Sequence, residues 1–192
     1  HRYGRRQRQM CIRDRVKDPI FATSGSACFD LRAYFGPDSR KITIYTPSNE
    51  KIHRHCQKES VEGEFSLSLG PSERALIPTG LIMDIPRGYS VRIHTRSGTA
   101  AKKGIGMSVS EGIIDSDYKE EVFALIRNNS NVAVNIEHEE RICQGELIKQ
   151  LDYSLSCTTI RPTNDGERTG GFGSTGVKSV SYTHLTLPTT VS

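Results

Sequence analysis

No stretch of this sequence approaches the roughly 18–20 consecutive apolar residues that a membrane-spanning helix requires. No Cys-x-x-Cys occurs and the five cysteines show no paired spacing, which argues against both a disulfide framework and a zinc ribbon. There is no internal repeat, and almost nowhere a run long enough for a substantial helix. What is present is a set of short apolar runs separated by 17 glycines and 8 prolines, in a 192-residue chain that is 35% hydrophobic and 7% aromatic. That distribution favours β structure, in one domain large enough to fold without staples.

Formal charge is +4, from 26 Lys+Arg against 22 Asp+Glu. Much of the excess lies in His1–Arg15, where an arginine-rich arm suggests a phosphate-binding segment. The coding sequence implied by the two ends gives a different account. Written as ATG TGT ATA AGA GAC, Met10–Asp14 has a reverse complement that reads Val-Ser-Tyr-Thr-His, the residues at Val180–His184. Arg5–Gln9 inverts in the same way to Leu185–Thr189, and compatible codons carry the mirror from Arg2 against Ser192 to Arg15 against Ser179. It stops at Val16 against Lys178, after fourteen consecutive pairs. The pattern resembles translated read-through of a sequencing adapter flanking an insert in inverted orientation, so 1–15 and 179–192 are set aside as artefactual tails. Six arginines and one aspartate leave with them, so 16–178 holds 20 basic and 21 acidic residues. That balance removes the case for a nucleic-acid partner. The remaining Cys28, Cys56, Cys143 and Cys157 fit a reducing compartment, cytoplasmic or, for a viral source, inside the host cell.

Within 16–178, Lys41–Tyr45, Phe65–Leu69, Arg74–Pro78, Leu81–Ile85, Tyr89–His94, Glu121–Ile126 and Val132–Ile136 read as strands. Several show the period-two alternation of a half-buried sheet. Gly70-Pro71, Pro86-Arg87-Gly88 and Asn128-Asn129-Ser130-Asn131 supply turns between them. The spacing predicts an all-β sandwich, barrel or jelly roll with one short helix over Ser97–Lys103. Residues 36–62 look like an insertion in which Lys41–Tyr45 and Lys51–His55 pair as a hairpin across Thr46–Glu50. His53 and His55 then share one face, with Cys56 on the other; without further convergent ligands this is a solvated face rather than a metal site. The segment 163–178 is glycine-rich and reads as a mobile arm.

Three further segments carry chemistry, each with a plainer reading beside it. Thr95-Arg96-Ser97-Gly98 offers a cation, a hydroxyl and a closely approachable backbone, which suits phosphate; it equally suits a strand-ending turn with an N-cap serine. Gly112–Tyr118 places two acids and a ring around a glycine turn, so an acid could orient a water and the ring could stack, or the stretch is an Asx turn. Gly170–Gly176 has the glycines, hydroxyls and phenylalanine to wrap a nucleotide, or is a linker.

Taken in order, Ser26–Ala33, Arg96–Gly98, Gly112–Tyr118, Arg141–Gln144 and the glycine-rich tail resemble the five motifs of the trimeric dUTP diphosphatase (dUTPase) family, across about residues 18–176. The resemblance implies a dUTPase-like β-barrel or jelly-roll subunit and a homotrimer with active sites at subunit interfaces. It implies Mg2+-dependent hydrolysis of dUTP to dUMP and pyrophosphate, which limits uracil in DNA and supplies dUMP for dTMP synthesis. By the same resemblance Asp115 activates the water that attacks the α-phosphorus, and Tyr118 packs beneath the deoxyribose, leaving no space for a 2′-OH. Backbone groups of Ile113 and Ile114 read the uracil edge. Arg96, Ser97 and Gly98 form the phosphate-contacting turn, with Gln144 adding a phosphate-side contact and Asp30 supporting Mg2+ through water. In the arm, Arg168 approaches the γ-phosphate and Phe172 stacks on uracil, with Gly173 and Ser174 beside it. No nucleic-acid or membrane partner is implied.

The chain departs from the family pattern at Thr95 (usually proline), Thr99 (usually leucine), Glu120 (usually glycine) and Glu139-Glu140 (usually Gly-Asp), and Arg168 stands one position closer to the double glycine than usual. Two other readings remain open. A dCTP deaminase of the same fold, possibly bifunctional, would need a glutamate to activate water at the pyrimidine C4, and usually lacks the pair found here as Asp117-Tyr118. A non-catalytic regulatory protein on this scaffold would use 36–62 as its binding surface. Cys28 and Cys143 read as buried packing residues without a base to activate them. His94 and His138 have no evident partner in the sequence.

Overall fold

The computed structural model describes residues 11–12, 16–36, 40–58, 63–160 and 163. The chain divides into a first unit, His1–Asp152, and a second, Tyr153–Ser192. All regular structure among the described residues lies in the first unit. It begins with β1 (Cys11–Ile12), β2 (Phe29–Arg32), β3 (Lys41–Tyr45), β4 (Lys51–His55) and β5 (Gln57–Lys58). Next come β6 (Phe65–Leu69), β7 (Arg74–Pro78), β8 (Leu81–Ile82), β9 (Tyr89–Thr95) and α1 (Ser97–Lys103). The unit ends with β10 (Ile105–Met107), β11 (Gly112–Ile114), β12 (Phe123–Asn128), β13 (Val134–Glu137) and β14 (Arg141–Lys149).

Two larger sheets carry the architecture. One has the order β10-β12-β7-β3-β4 and the other β11-β9-β14-β2; β13-β6-β5 and the pair β1-β8 complete it. Alternation in the sequence decides the layering. In β3, Ile42 and Ile44 point inward while Lys41, Thr43 and Tyr45 point out, and β12 alternates in the same way around Ala124 and Ile126. The inward side chains of the five-stranded sheet meet Leu31, Val91, Ile93, Ile142 and Cys143 of the four-stranded sheet in one continuous apolar cluster. Removal of that surface from water, at roughly 25 cal/mol per Å2, is the main force holding the layers together. The all-β class is thus observed, and the short helix forms over the expected Ser97–Lys103, ending at Gly104 in the left-handed region (φ 65°).

Several strand ends differ from the sequence expectation, for identifiable reasons. Glu121 lies outside β12 because its carboxylate is engaged elsewhere, accepting from Arg40 Nη1 and Nη2 (3.1 and 2.8 Å) and from the Gly80 amide (2.9 Å). At the other end β12 runs on to Asn128, a fully buried amide whose hydrogen bonds are all met. Its Nδ2 donates to the carbonyls of Leu69 (2.9 Å) and Val132 (2.7 Å), and its Oδ1 accepts from the Ser130 amide and hydroxyl. The hairpin β3–β4 runs from Lys41 opposite His55 to Tyr45 opposite Lys51, with His53 and His55 outward and Cys56 buried. Among the described residues no helix is long and apolar enough to cross a membrane.

The hairpin is tied down by Arg54, which donates from Nη1 and Nη2 to the two carboxylate oxygens of Glu73 (2.8 and 2.9 Å). That paired donation, aided by the Gly70 amide and opposed by burial, holds the Glu73 carboxyl below the usual range.

Two outcomes follow from this packing. Asn128→Ala removes the side-chain donor to the buried Leu69 carbonyl and the acceptor that orders Ser130, and should cost about 2 kcal/mol of unfolding free energy in urea titrations at fixed protein concentration; a loss under about 0.5 kcal/mol would contradict the account. Because the folded Glu73 is more acidic than the unfolded one, its contribution is complete above about pH 4.3 and is lost as pH falls through the folded value. Glu73→Gln should therefore flatten the acid limb of the stability profile and leave its slope above pH ~5 unchanged.

Candidate active site

The four-stranded sheet brings three of the five sequence motifs to one end. Gln144 in the middle strand β14 lies directly opposite Asp30 of β2 on one side and His94 of β9 on the other. Beyond His94, β9 ends at Thr95 and the chain passes through Arg96 in extended backbone (φ −86°, ψ 130°) into α1. Arg96 therefore stands at the sheet end, over Asp30. Its Nε donates to Asp30 Oδ1 at 2.7 Å, while Arg141 Nη1 donates to Asp30 Oδ2 at 3.1 Å. The Asp30 side chain is only 11% exposed, so the two guanidiniums compensate a charge held largely out of water. Gln144 Nε2 donates to the Thr95 carbonyl at 3.3 Å, which fixes the amide against the turn.

The unusual threonines have definite partners. Thr95 Oγ1 accepts from the Met107 amide (2.8 Å), joining β9 to β10. Thr99, 6% exposed, accepts from Arg96 Nη1 and donates to the Arg141 carbonyl, both at 3.3 Å. Arg141 and Thr99 were not singled out as site residues from the sequence; the signal for Arg141 was its place at the head of the fourth motif. Arg96, Gly98, Lys102, Lys103, Glu140 and Arg141 line an open pocket of about 280 Å3 together with Thr99. Four cations against one carboxylate suit a polyanion. Ser97 and Gly98 are exposed in the first turn of α1, and a Cβ added at Gly98 would meet nothing within 4 Å. The fold itself does not require glycine there. Ser97 is the first helical residue rather than the cap, and no side chain caps this helix.

The third motif lies elsewhere. Gly112–Ile114 forms β11, the outer strand of the same sheet, so one row of its backbone groups faces away from β9. Ile114 pairs with Val91. Asp115 and Tyr118 follow in a turn closed by the Tyr118 amide on the Asp115 carbonyl (3.2 Å), and Tyr118 Oη donates to the Glu121 carbonyl (2.8 Å). The turn thus comes after the strand, rather than around Gly112. Arg96 is five positions along β9 from Val91, which is about 17 Å at the rise of a strand. Within one chain Asp115 and Tyr118 are at the far end of β9 from the Arg96–Asp30–Gln144 group. Arg168, Phe172, Gly173 and Ser174 lie outside the described residues.

Neither motif cysteine is an activated nucleophile. Burial pushes the Cys143 thiol up to about 12 although Arg96 opposes this, and burial next to Glu146 raises Cys28. Cys143 is fully buried as expected, whereas Cys28 is partly exposed, because it precedes β2 at the edge of the sheet. The histidines without evident sequence partners acquire them through the fold. His94 Nε2 donates to Glu146 Oε1 at 3.0 Å with Glu111 beyond its other nitrogen, and His138 Nδ1 accepts from the Phe35 amide at 3.1 Å. Among the described residues no three His, Cys, Asp or Glu side chains converge as a metal cage.

Comparison with known proteins matches this arrangement to one family. The dUTPase family model matches residues 61–176, more than half of the chain. The deoxyuridine 5'-triphosphate nucleotidohydrolase of Roseobacter denitrificans is 44% identical over 160 residues, covering 82% of this chain and 86% of its own. That of Bartonella bacilliformis is 37% identical over 172 residues, covering 83% and 82%. Among solved structures, the Staphylococcus bacteriophage 80alpha dUTPase with dUPNHPP shares the fold at 20% identity and a TM-score of 0.63, over 90% of this chain and 99% of that one. The dUTPase of phage phi11 of S. aureus, whose structure describes coordination of a structural Mg(II) ion, gives 16% and 0.58 over 81% and 98%. With its motifs in order, its sheet holding three of them together and relatives matched along most of their length, the chain belongs to the dUTPase family.

Proposed function

We propose that this protein hydrolyses dUTP to dUMP and pyrophosphate at a site shared between copies of the chain in a homotrimer. The observation that carries the reading is the division of the site along β9: a phosphate-binding end built on Asp30, Arg96, Arg141 and Gln144, and a base-and-sugar end built on Asp115 and Tyr118. About 17 Å of strand separates them, so one copy cannot offer both to one nucleotide, whereas neighbouring copies can. Leu151, Tyr153 and Leu155, at alternate positions, are 82%, 79% and 90% exposed, as expected of a segment that finds its cover on another subunit.

In this reading Arg96 and Arg141, pre-oriented by Asp30, take the triphosphate charge together with Ser97, Gly98 and Gln144. The outward backbone of Ile113 and Ile114 meets the uracil edge, and the Tyr118 ring, pinned by its hydroxyl to Glu121, lies under the deoxyribose. Asp115, exposed at a rigid turn, accepts the proton of the water that attacks the α-phosphorus; the bond to the pyrophosphate oxygen breaks. Arg168, Phe172, Gly173 and Ser174 close over the nucleotide from the glycine-rich arm and exclude bulk water.

Mg2+ fits as a cofactor carried in on the substrate. Asp30 retains acceptor capacity for water beyond its two arginines, whereas Glu140 nearby is engaged by Lys103, and among the described residues no cluster of metal-ligating side chains competes for the ion. When bound, the metal would neutralise phosphate charge. Localisation in the cytoplasm, or inside a host cell, accompanies this reading.

Pyrophosphate release from purified protein, measured across all dNTPs with magnesium, tests the substrate; deamination of dCTP would favour the deaminase instead. Asp115→Asn should lower kcat about a thousandfold while a non-hydrolysable dUTP analogue still binds within a few-fold. Wild-type turnover would remove Asp115 from its role. Asp115→Asn and Arg96→Gln chains, each inactive alone, should recover about a quarter of wild-type activity when refolded together in equal amounts, because each site draws on two copies. No recovery would mean that each chain builds its own site. Deleting 165–178 should leave the assembly intact with little activity, and full activity would make the arm dispensable.

A further inference from the structure

The hairpin β3–β4 plays no part in the hydrolytic site, yet it completes a surface of unusual charge. Pairing registers place Lys51, Tyr45, Arg74 and Arg127 in one row across four strands, β4-β3-β7-β12, all on the outer face. At about 4.8 Å per strand the row is about 14 Å long. Lys41 and His55 form a second cross-strand pair at the other end of the hairpin, with His53 between, opposite Thr43. Among the strand positions on this face, which continue through Leu76, Phe123 and Leu125, there is no aspartate or glutamate.

Many cations elsewhere on the described surface are paired, although Arg32, Lys58, Arg87, Lys102 and Lys149 form no ion pair among the described residues. Lys17, Arg40, Arg54, Arg92, Arg96, Lys103, Lys119 and Arg141 each meet a carboxylate. Lys41, Lys51, Arg74 and Arg127 meet none among the described residues. Arg74 instead lies over the Tyr45 ring, 5.6 Å from its centroid, and donates to Asn49 Oδ1 at 2.6 Å. A row of uncompensated cations interrupted by an aromatic ring, with two imidazoles on the same outer face of the hairpin, matches the chemistry of a stacking platform for unpaired bases with a phosphate backbone alongside. An acidic polypeptide would engage the cations but has no use for the rings.

We propose that the outer face of the five-stranded sheet, centred on Lys51, Tyr45, Arg74 and Arg127, binds single-stranded nucleic acid. The near-neutral charge of 16–178, which argued against such a partner, is an average over the molecule and does not exclude a local row of cations without facing carboxylates.

Fluorescence anisotropy of a labelled oligo(dT) of roughly 20 nucleotides on the full chain, between about 50 and 200 mM salt, provides the test. Wild-type affinity should fall with salt. Lys51→Ala combined with Arg127→Ala should weaken binding roughly tenfold at low salt and reduce the slope of log K against log salt by about 1.4, the value for two phosphate contacts on a single strand. Tyr45→Ala should weaken binding with the slope unchanged, as loss of stacking requires. All variants should keep wild-type dUTP hydrolysis, which also reports that they fold. Absence of wild-type binding would overturn the proposal. So would unchanged affinity and slope in the double variant, which would assign binding to the arginines of His1–Arg15. Equal competition by poly-glutamate, with Tyr45→Ala binding oligo(dT) like wild type, would overturn it in favour of an acidic protein partner.

Discussion

One largely enclosed carboxylate organises the arginine cluster beside the start of α1. Asp30 holds Arg96 through one oxygen and Arg141 through the other, and these contacts reach across 66 and 111 residues of sequence. Two guanidiniums side by side would repel one another and splay into solvent; an acid between them makes their proximity favourable and leaves their outer faces directed at the pocket. Thr99 adds a neutral link from Arg96 to the backbone of Arg141. Specificity of orientation is the gain, since desolvation of Asp30 and solvent screening at the half-exposed Arg141 both reduce what the pairs contribute to net stability.

The second constraint is the length of β9. A strand is stiff, and once Ile114 is registered on Val91 the distance from the third motif to Arg96 is set by the rise per residue rather than by side-chain choice. The sheet therefore holds the third motif and the Asp30–Arg96–Gln144 group at opposite ends of β9.

Legibility in the sequence followed the range of the determining interaction. β3, β6 and β7 were readable because period-two alternation is local, and α1 because its residues favour a helix before a glycine stop. β11 was not, since Gly-Ile-Ile reads as part of a turn until its pairing with Ile93–Val91 makes it a strand. The motif order pointed to Asp30, Arg96 and Gln144, yet nothing local announced that Asp30 would be shared with Arg141 or that Thr99 would join them. Likewise His94 gained Glu146 only through the β9–β14 register. At Glu139 the backbone adopts φ 60°, the region where the family pattern has glycine; the fourth-motif bend is thus kept with a residue that enters it at some cost.

The uneven chemistry of the four described thiols has a practical side. Cys143 and Cys56 are buried, with their proton affinities raised to about 12 and about 11, and Cys28 is shifted in the same direction. Cys157 alone is exposed, in the second unit on the approach to the glycine-rich segment. Alkylating reagents act on thiolates, so among these four they would discriminate by position. The molecule thereby carries its own anchor for a reporter dye, a few residues ahead of the glycine-rich segment in sequence and remote in chemistry from the cysteine beneath the arginines.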